Sequence, residues 1–198
     1  MDLADEIGIE AFTIRKLAAA LDVGPMSIYH HVPSKDEIVD GMVDLVFAEI
    51  ALPPEDRRWV EAIAIRCRSA RAVLGRHPWA APLMESRMRP GPANLRHHDA
   101  VIACLRRGGL SWDLTAHAYA ILDAFVYGFA FQEATLPAGD AEGFAEVAEG
   151  MPSFDGYPYL AALTTEVALR PGYDVGASFD VGLDLILAGL ERAAAAEG

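Results

Sequence analysis

Pro25, Met26 and Ser27 stand side by side directly after Gly24, with Tyr29, His30 and Lys35 close behind. At the start of a short helix, a proline, a thioether and a hydroxyl can meet the edges of bases. A tyrosine on the same piece and a lysine just beyond it can meet phosphate oxygens. Such a piece needs a brace. The stretch 13–21 supplies one, with Ile14, Leu17, Ala18 and Leu21 on a single face. Asp22, Val23, Gly24 and Pro25 break the two pieces apart, and Gly24 is the residue expected to take an unusual backbone angle. Residues 13–31 therefore have the layout of a helix-turn-helix. On spacing alone, a plain helical hairpin is about as good a reading.

The other residue types that could do chemistry are scattered. His30 and His31 adjoin, as do His97, His98 and Asp99. Neighbours on a helix point about 100° apart, so adjacent histidines cannot share one ion. These read as surface or phosphate-facing side chains. His77 and His117 are isolated and read as core or pocket histidines. There is no Gly-x-Ser-x-Gly, phosphate-binding loop or dinucleotide fingerprint. No catalytic residue, metal ligand or cofactor is assigned. Cys67 and Cys104 are too few for a disulfide framework, which points to a reducing, cytoplasmic setting.

The elements around these residues read as helices. A Ser-x-x-Glu capping box at Ser34–Glu37 opens a helix carrying Ile38, Met42, Leu45, Val46 and Ile50. Pro53 and Pro54 close it and mark a module boundary. A long helix is expected from about 55 to 74, another ending at Gly108 and Gly109, and one capped by Ser111 running to about 135. Residues 136–158 read as a loop with one short helix, and two more helices are expected near 158–169 and 177–195. The fold class is all-α: residues 1–50 a three-helix helix-turn-helix domain, residues 54–198 a larger helical domain. No stretch approaches the ~18–20 consecutive apolar residues of a membrane span.

The net charge of the 198-residue chain is −13. Residues 1–50 hold three basic residues against ten acids, residues 57–107 eleven arginines against three acids, and residues 108–198 two arginines against fourteen acids. This total excludes a general nucleic-acid coat protein, because phosphate neutralisation supplies most non-specific affinity. It leaves room for a reader with a small local footprint. The arginines of the middle segment are expected to pair with the acidic flanks.

Two runs go further than composition. GIEAFTIRKLA, residues 8–18, and LDVGPMSIYHHVPSK, residues 21–35, closely resemble the DNA-binding domain of the TetR family of transcriptional repressors. Asp22 stands where that family usually has glycine. Only residues 2–7 precede Gly8, so the first helix is shortened. The segments 112–133 and 179–191 resemble the C-terminal domain of the tetracycline-type members.

The resemblance implies a homodimer that binds a palindromic operator in double-stranded DNA and is released by a small-molecule inducer. Thr13 and Tyr29 would then contact phosphates, and Arg15 a base edge or phosphate. Pro25, Met26 and Ser27 would face bases, with His30 beside them and Lys35 holding the backbone. Aligned from Trp59, the family's ligand histidine falls on Met84 and its pocket asparagine on Arg66, with Gln132 near a pocket glutamate. A tetracycline–magnesium complex is therefore not expected.

The inducer pocket is expected between one face of the 112–135 helix, with Phe125, Phe129 and Gln132, and Trp79, Met84, Met88 and His117 opposite. The dimer seam is expected on Phe179, Leu183, Ile186, Leu187 and Leu190 of the last helix. Two rival readings stay open. One is a helical binding or scaffold protein whose DNA motif has degenerated; the other is a small helical enzyme using the aromatic cavity.

Overall fold

A computed structural model describes residues 1–86, 89–135, 154 and 156–197. The chain opens with four short helices: α1 (Asp2–Ile7), α2 (Ile14–Ala20), α3 (Pro25–His31) and α4 (Lys35–Glu49). Each start has a local cause. Thr13 caps α2 by accepting the Lys16 N–H, and Ser34 caps α4 by accepting the Glu37 N–H, both at 3.2 Å. Pro25 occupies the first turn of α3, where its missing N–H costs nothing. Ile14, Ala18 and Ile28 form a small separate core that braces α3 on α2.

The turn between α2 and α3 differs from the sequence reading. Gly24 lies at φ −73° and ψ 144°, an extended conformation that any residue can adopt. The left-handed residue is Asp22, at φ 54°. Aspartate is one of the few L-residues that visit this region, because its short polar side chain can bond locally.

The larger part follows as α5 (Trp59–Arg76), α6 (Ala81–Ser86), α7 (Pro92–Arg107), α8 (Trp112–Thr135), α9 (Pro158–Leu163) and α10 (Ala177–Glu197). A single π-turn, Thr164–Ala168, extends α9, where the sequence suggests one plain helix. Residues 55–57 are turn, so α5 starts later than expected. Most of the loop expected over 136–158 lies outside the described residues. α8 is long and apolar enough in composition to cross a bilayer. It instead packs against α5, α6, α7 and α10, with Leu122, Val126 and Ala130 buried.

One core runs through both parts. Phe47 of α4, Ile63 and Leu74 of α5, Leu105 of α7, Leu122 of α8 and Phe179 of α10 are all buried in it, together with Ala4 and Phe12 from the chain start. Burying a side chain the size of Phe or Leu contributes roughly 1.5–3 kcal/mol. That corrects the reading of α10. Phe179, Leu183, Leu187 and Leu190 are at most 6% exposed within a single chain, and Ile186 is half-buried beside them. They are spent on this chain's own core. The outward face of α10 carries Val181 and Leu185 instead.

Several of the middle-segment arginines pair with the acidic flanks. Arg58 bonds Glu191, Arg68 bonds Asp180, Arg71 bonds Glu133 and Arg76 bonds Glu49, at 2.5–2.7 Å.

Candidate functional site

The exposed tip is built by α2 and α3. The α3 helix buries Ile28 and turns Pro25, Met26, Ser27, Tyr29 and His30 outward; Met26 is 70% exposed. Thr13 and Arg15, at the start of α2, are also exposed. Lys35 is half-buried: its Nζ donates to the Ile9 carbonyl at 3.5 Å and lies over the Phe12 ring. It ties the N-terminus of α4 to the α1–α2 connection. Seven of the eight residues expected at a DNA surface thus lie on α2, α3 or at the cap of α2, and the eighth, Lys35, opens α4.

A joint connects this part to the bundle. Asp5 Oδ1 on α1 accepts the indole N–H of Trp79 at 2.6 Å and lies 2.7 Å from His77 Nδ1. His77 Nε2 lies 3.3 Å from Glu49 Oε2, which also accepts from Arg76. The Arg76 guanidinium holds the Glu49 carboxyl below the usual carboxylate range. Trp79, expected in a ligand pocket, serves here as a fastening between α1 and the α5–α6 corner.

The interior of the bundle holds a polar network. Arg66 of α5 is fully buried. Its Nη2 donates to Asp123 Oδ1 at 2.7 Å and to the Tyr127 hydroxyl at 3.3 Å, both on α8. Its Nε donates to His97 Nε2 on α7 at 2.9 Å. Burial works against the Arg66 charge, but Asp123 beside it overrides this and holds it protonated. Burial, followed by the Arg66 charge, pushes the His97 pKa down to about 3. Burial also raises the Tyr127 hydroxyl well above its usual range. His98 is hydrogen-bonded to the Tyr119 hydroxyl. The rings of His97 and His98 lie 5.5 and 5.3 Å from that of Phe47 on α4. Three buried polar atoms have no hydrogen-bond partner among the described residues: Arg66 Nη1, His97 Nδ1 and Thr115 Oγ1.

The residues expected at a pocket do not converge on one place. Met84 is buried in the core near α6. Phe125 and Phe129 sit 5.2 and 5.3 Å from Phe179, ring to ring, on the α8–α10 contact. His117 and Gln132 are exposed. Met88 lies outside the described residues. An open groove of 630 Å³ lies between α5, α8 and α10, lined by Arg68, Arg71, Glu133 and Asp180 among others. Its charges are already answered by one another, whereas the Arg66 network retains unanswered donors. The network was not legible in the sequence as a unit, because its members are up to 61 residues apart. A lone Asp123 within the apolar run of α8 is the one signal that could have found it.

Among the described residues, no group of three or more His, Cys, Asp or Glu side chains is arranged to hold a metal ion.

Comparison with known proteins matches these parts to one family. Residues 1–42 match "Bacterial regulatory proteins, tetR family", and residues 52–194 match "Tetracyclin repressor-like, C-terminal domain". The HTH-type transcriptional repressor DrrR1 of Streptomyces coeruleorubidus is 32% identical over 203 residues, covering 96% of this chain and 74% of that protein. The class A tetracycline repressor from transposon 1721 of Escherichia coli is 27% identical, covering 97% of this chain and 87% of its own. Apo ActR of Streptomyces coelicolor superposes with a TM-score of 0.80 at 29% identity, covering 100% of this chain and 93% of its own. ActR in complex with actinorhodin superposes at 0.76 with 30% identity, covering 98% and 93%.

Proposed function

Since the chain belongs to the tetR family of bacterial regulatory proteins, we propose that it is a ligand-responsive repressor. It binds a palindromic operator as a homodimer in the cytoplasm, and a small molecule other than tetracycline–magnesium releases it. The observation that carries this reading is the path of α4. Its first residue, Lys35, lies under the exposed tip, and Phe47 in its last turn packs on the rings of His97 and His98 beside the buried network. One rigid helix thus joins the surface suited to DNA with the interior suited to a ligand.

Release requires differential binding. A ligand favours the geometry it fits, and it shifts the tip only through a difference in affinity for two states. By linkage, operator DNA weakens ligand binding by the same factor. Thr13, Tyr29 and Lys35 hold the DNA backbone, Arg15 reaches a base edge or phosphate, and Pro25, Met26 and Ser27 face bases with His30 beside them. The ActR complex with actinorhodin supports a small-molecule ligand. The dimer is supported by the outward faces of α8 and α10. Ile121 and Phe131 on one and Val181 and Leu185 on the other are 46–69% exposed. Exposed apolar side chains on two neighbouring helices suit a four-helix seam between copies.

The experiment is selection of a duplex from a random pool by the full chain, followed by a salt titration of the selected site. A palindromic site with half-sites about one helical turn apart is expected, and affinity should fall with a log–log slope near −0.9 per phosphate neutralised. Failure to enrich any site, with a stable monomer in light scattering, would overturn the reading in favour of a helical binding protein.

A further inference from the structure

We infer that the ligand is a flat, uncharged ring system bearing ketone oxygens, which accept hydrogen bonds from Arg66 Nη1 and His97 Nδ1. The inference rests on the ligand-responsive reading above and specifies its chemistry. It starts from the proton positions. Arg66 Nε–H donates to His97 Nε2, so that nitrogen carries no proton and the neutral ring holds its proton on Nδ1. Nδ1–H then finds no acceptor, and neither does Arg66 Nη1. Both groups are donors, and they belong to a bonded pair from two helices, α5 and α7. A buried donor left unmade costs about 1–3 kcal/mol, so two in one pair call for an acceptor.

The charge balance narrows the class. Arg66 is already neutralised by Asp123 at 2.7 Å. A carboxylate or phosphate brought to Arg66 Nη1 would add a second anion beside Asp123, uncompensated in a buried site. A ketone oxygen accepts the same hydrogen bonds and brings no charge. The walls favour a flat molecule: Phe47, His98, Tyr119 and Tyr127 present rings around the pair. Both donors are sealed from solvent, so the ligand must part α7 from α5 and α8 to reach them. That movement presses on Phe47, which rests on His97, and so on the helix that carries the tip.

The test uses the full chain and three probes sharing one skeleton and substituted at the same ring carbon: hydroxymethylanthraquinone, anthraquinone carboxylate and hydroxymethylanthracene. Binding is read by calorimetry. The neutral quinone is expected to bind most tightly, and loss of its ketones should weaken binding about tenfold or more. His97→Phe should weaken the quinone by about tenfold and leave the anthracene unchanged. The paired change Arg66→Met with Asp123→Leu, which keeps the interior neutral, should do the same, with circular dichroism reporting the fold. Equal binding of the anthracene, preference for the carboxylate, an undiminished quinone preference in both variants, or binding of none of the three would each overturn the inference. Operator selection by the wild-type chain separates the two claims. A chain that selects a site and takes no probe keeps the regulator and loses the ligand class; one that takes the quinone and selects no DNA does the reverse.

Discussion

Asp5 and Trp79 are 74 residues apart in the chain, yet the indole N–H of one donates to the carboxylate of the other at 2.6 Å. The contact fastens α1 to the corner between α5 and α6, with His77 on the same oxygen. Asp5 thus adds hydrogen bonds between the tip and the bundle to the covalent link through α4 and the core the two parts share.

Trp79→Phe keeps an aromatic ring and removes the donor. It should destabilise the protein by about 1–2 kcal/mol in urea unfolding, because a hydrogen bond to a charged acceptor is lost. Amides of α1 should exchange faster than in the wild type. Unchanged α1 exchange would show that the fastening does not hold that helix.

Asp22 at φ 54° sets a test of the turn. Asp22→Val should cost about 1–2 kcal/mol, since a β-branched side chain clashes in the left-handed region. Asp22→Gly should be neutral or stabilising. Equal effects of the two variants in chemical denaturation would contradict the assigned conformation.

Gly182 faces Phe125, and a Cβ there would lie 2.7 Å from two ring atoms. That ring is stacked on Phe179 and has little freedom to retreat. Gly182→Ala should lower stability by about 1–3 kcal/mol through overpacking of the α8–α10 contact. A Tm unchanged from the wild type would show that the ring yields.

His97 gives stability a pH dependence with a defined sign. Its pKa is near 3 in the fold and near 6.5 when unfolded. Between those values the unfolded chain binds more protons, so stability is complete above about pH 6.5 and falls as pH drops through this window. The slope from this group alone is about 1.4 kcal/mol per pH unit. His97→Gln keeps an acceptor for Arg66, so its unfolding free energy should fall less steeply from pH 6.5 to 5. Identical slopes would refute the buried neutral histidine.

At the tip, Tyr29→Ala should weaken binding to all duplexes alike, whereas changes at Met26 should alter preference among sequences. Competition binding with the selected operator and its variants distinguishes the two. A reversed pattern would exchange their roles.

The helices were legible where local rules act alone. Ser34 and Glu37 mark the start of α4, and Pro25 marks that of α3, because caps and prolines act within a few residues. What depends on distant partners was not. An apolar stripe on α10 reads equally as core or seam, and only the neighbouring Phe125 and Phe129 decide that Phe179 belongs to the core. Arg66 looks like any other arginine of α5 until Asp123 and His97 are brought to it. Asp22, rather than Gly24, takes the left-handed turn, since the register of the turn follows how α2 ends and not which residue is most permissive.

Arg58, Arg66, Arg68, Arg71 and Arg76 each end on a carboxylate of this same chain. These cations are answered within the chain, and its surplus of anions repels a duplex. A duplex of arbitrary sequence is therefore a poor partner for the larger part of the molecule, and contact with one falls to the short reach of α2 and α3.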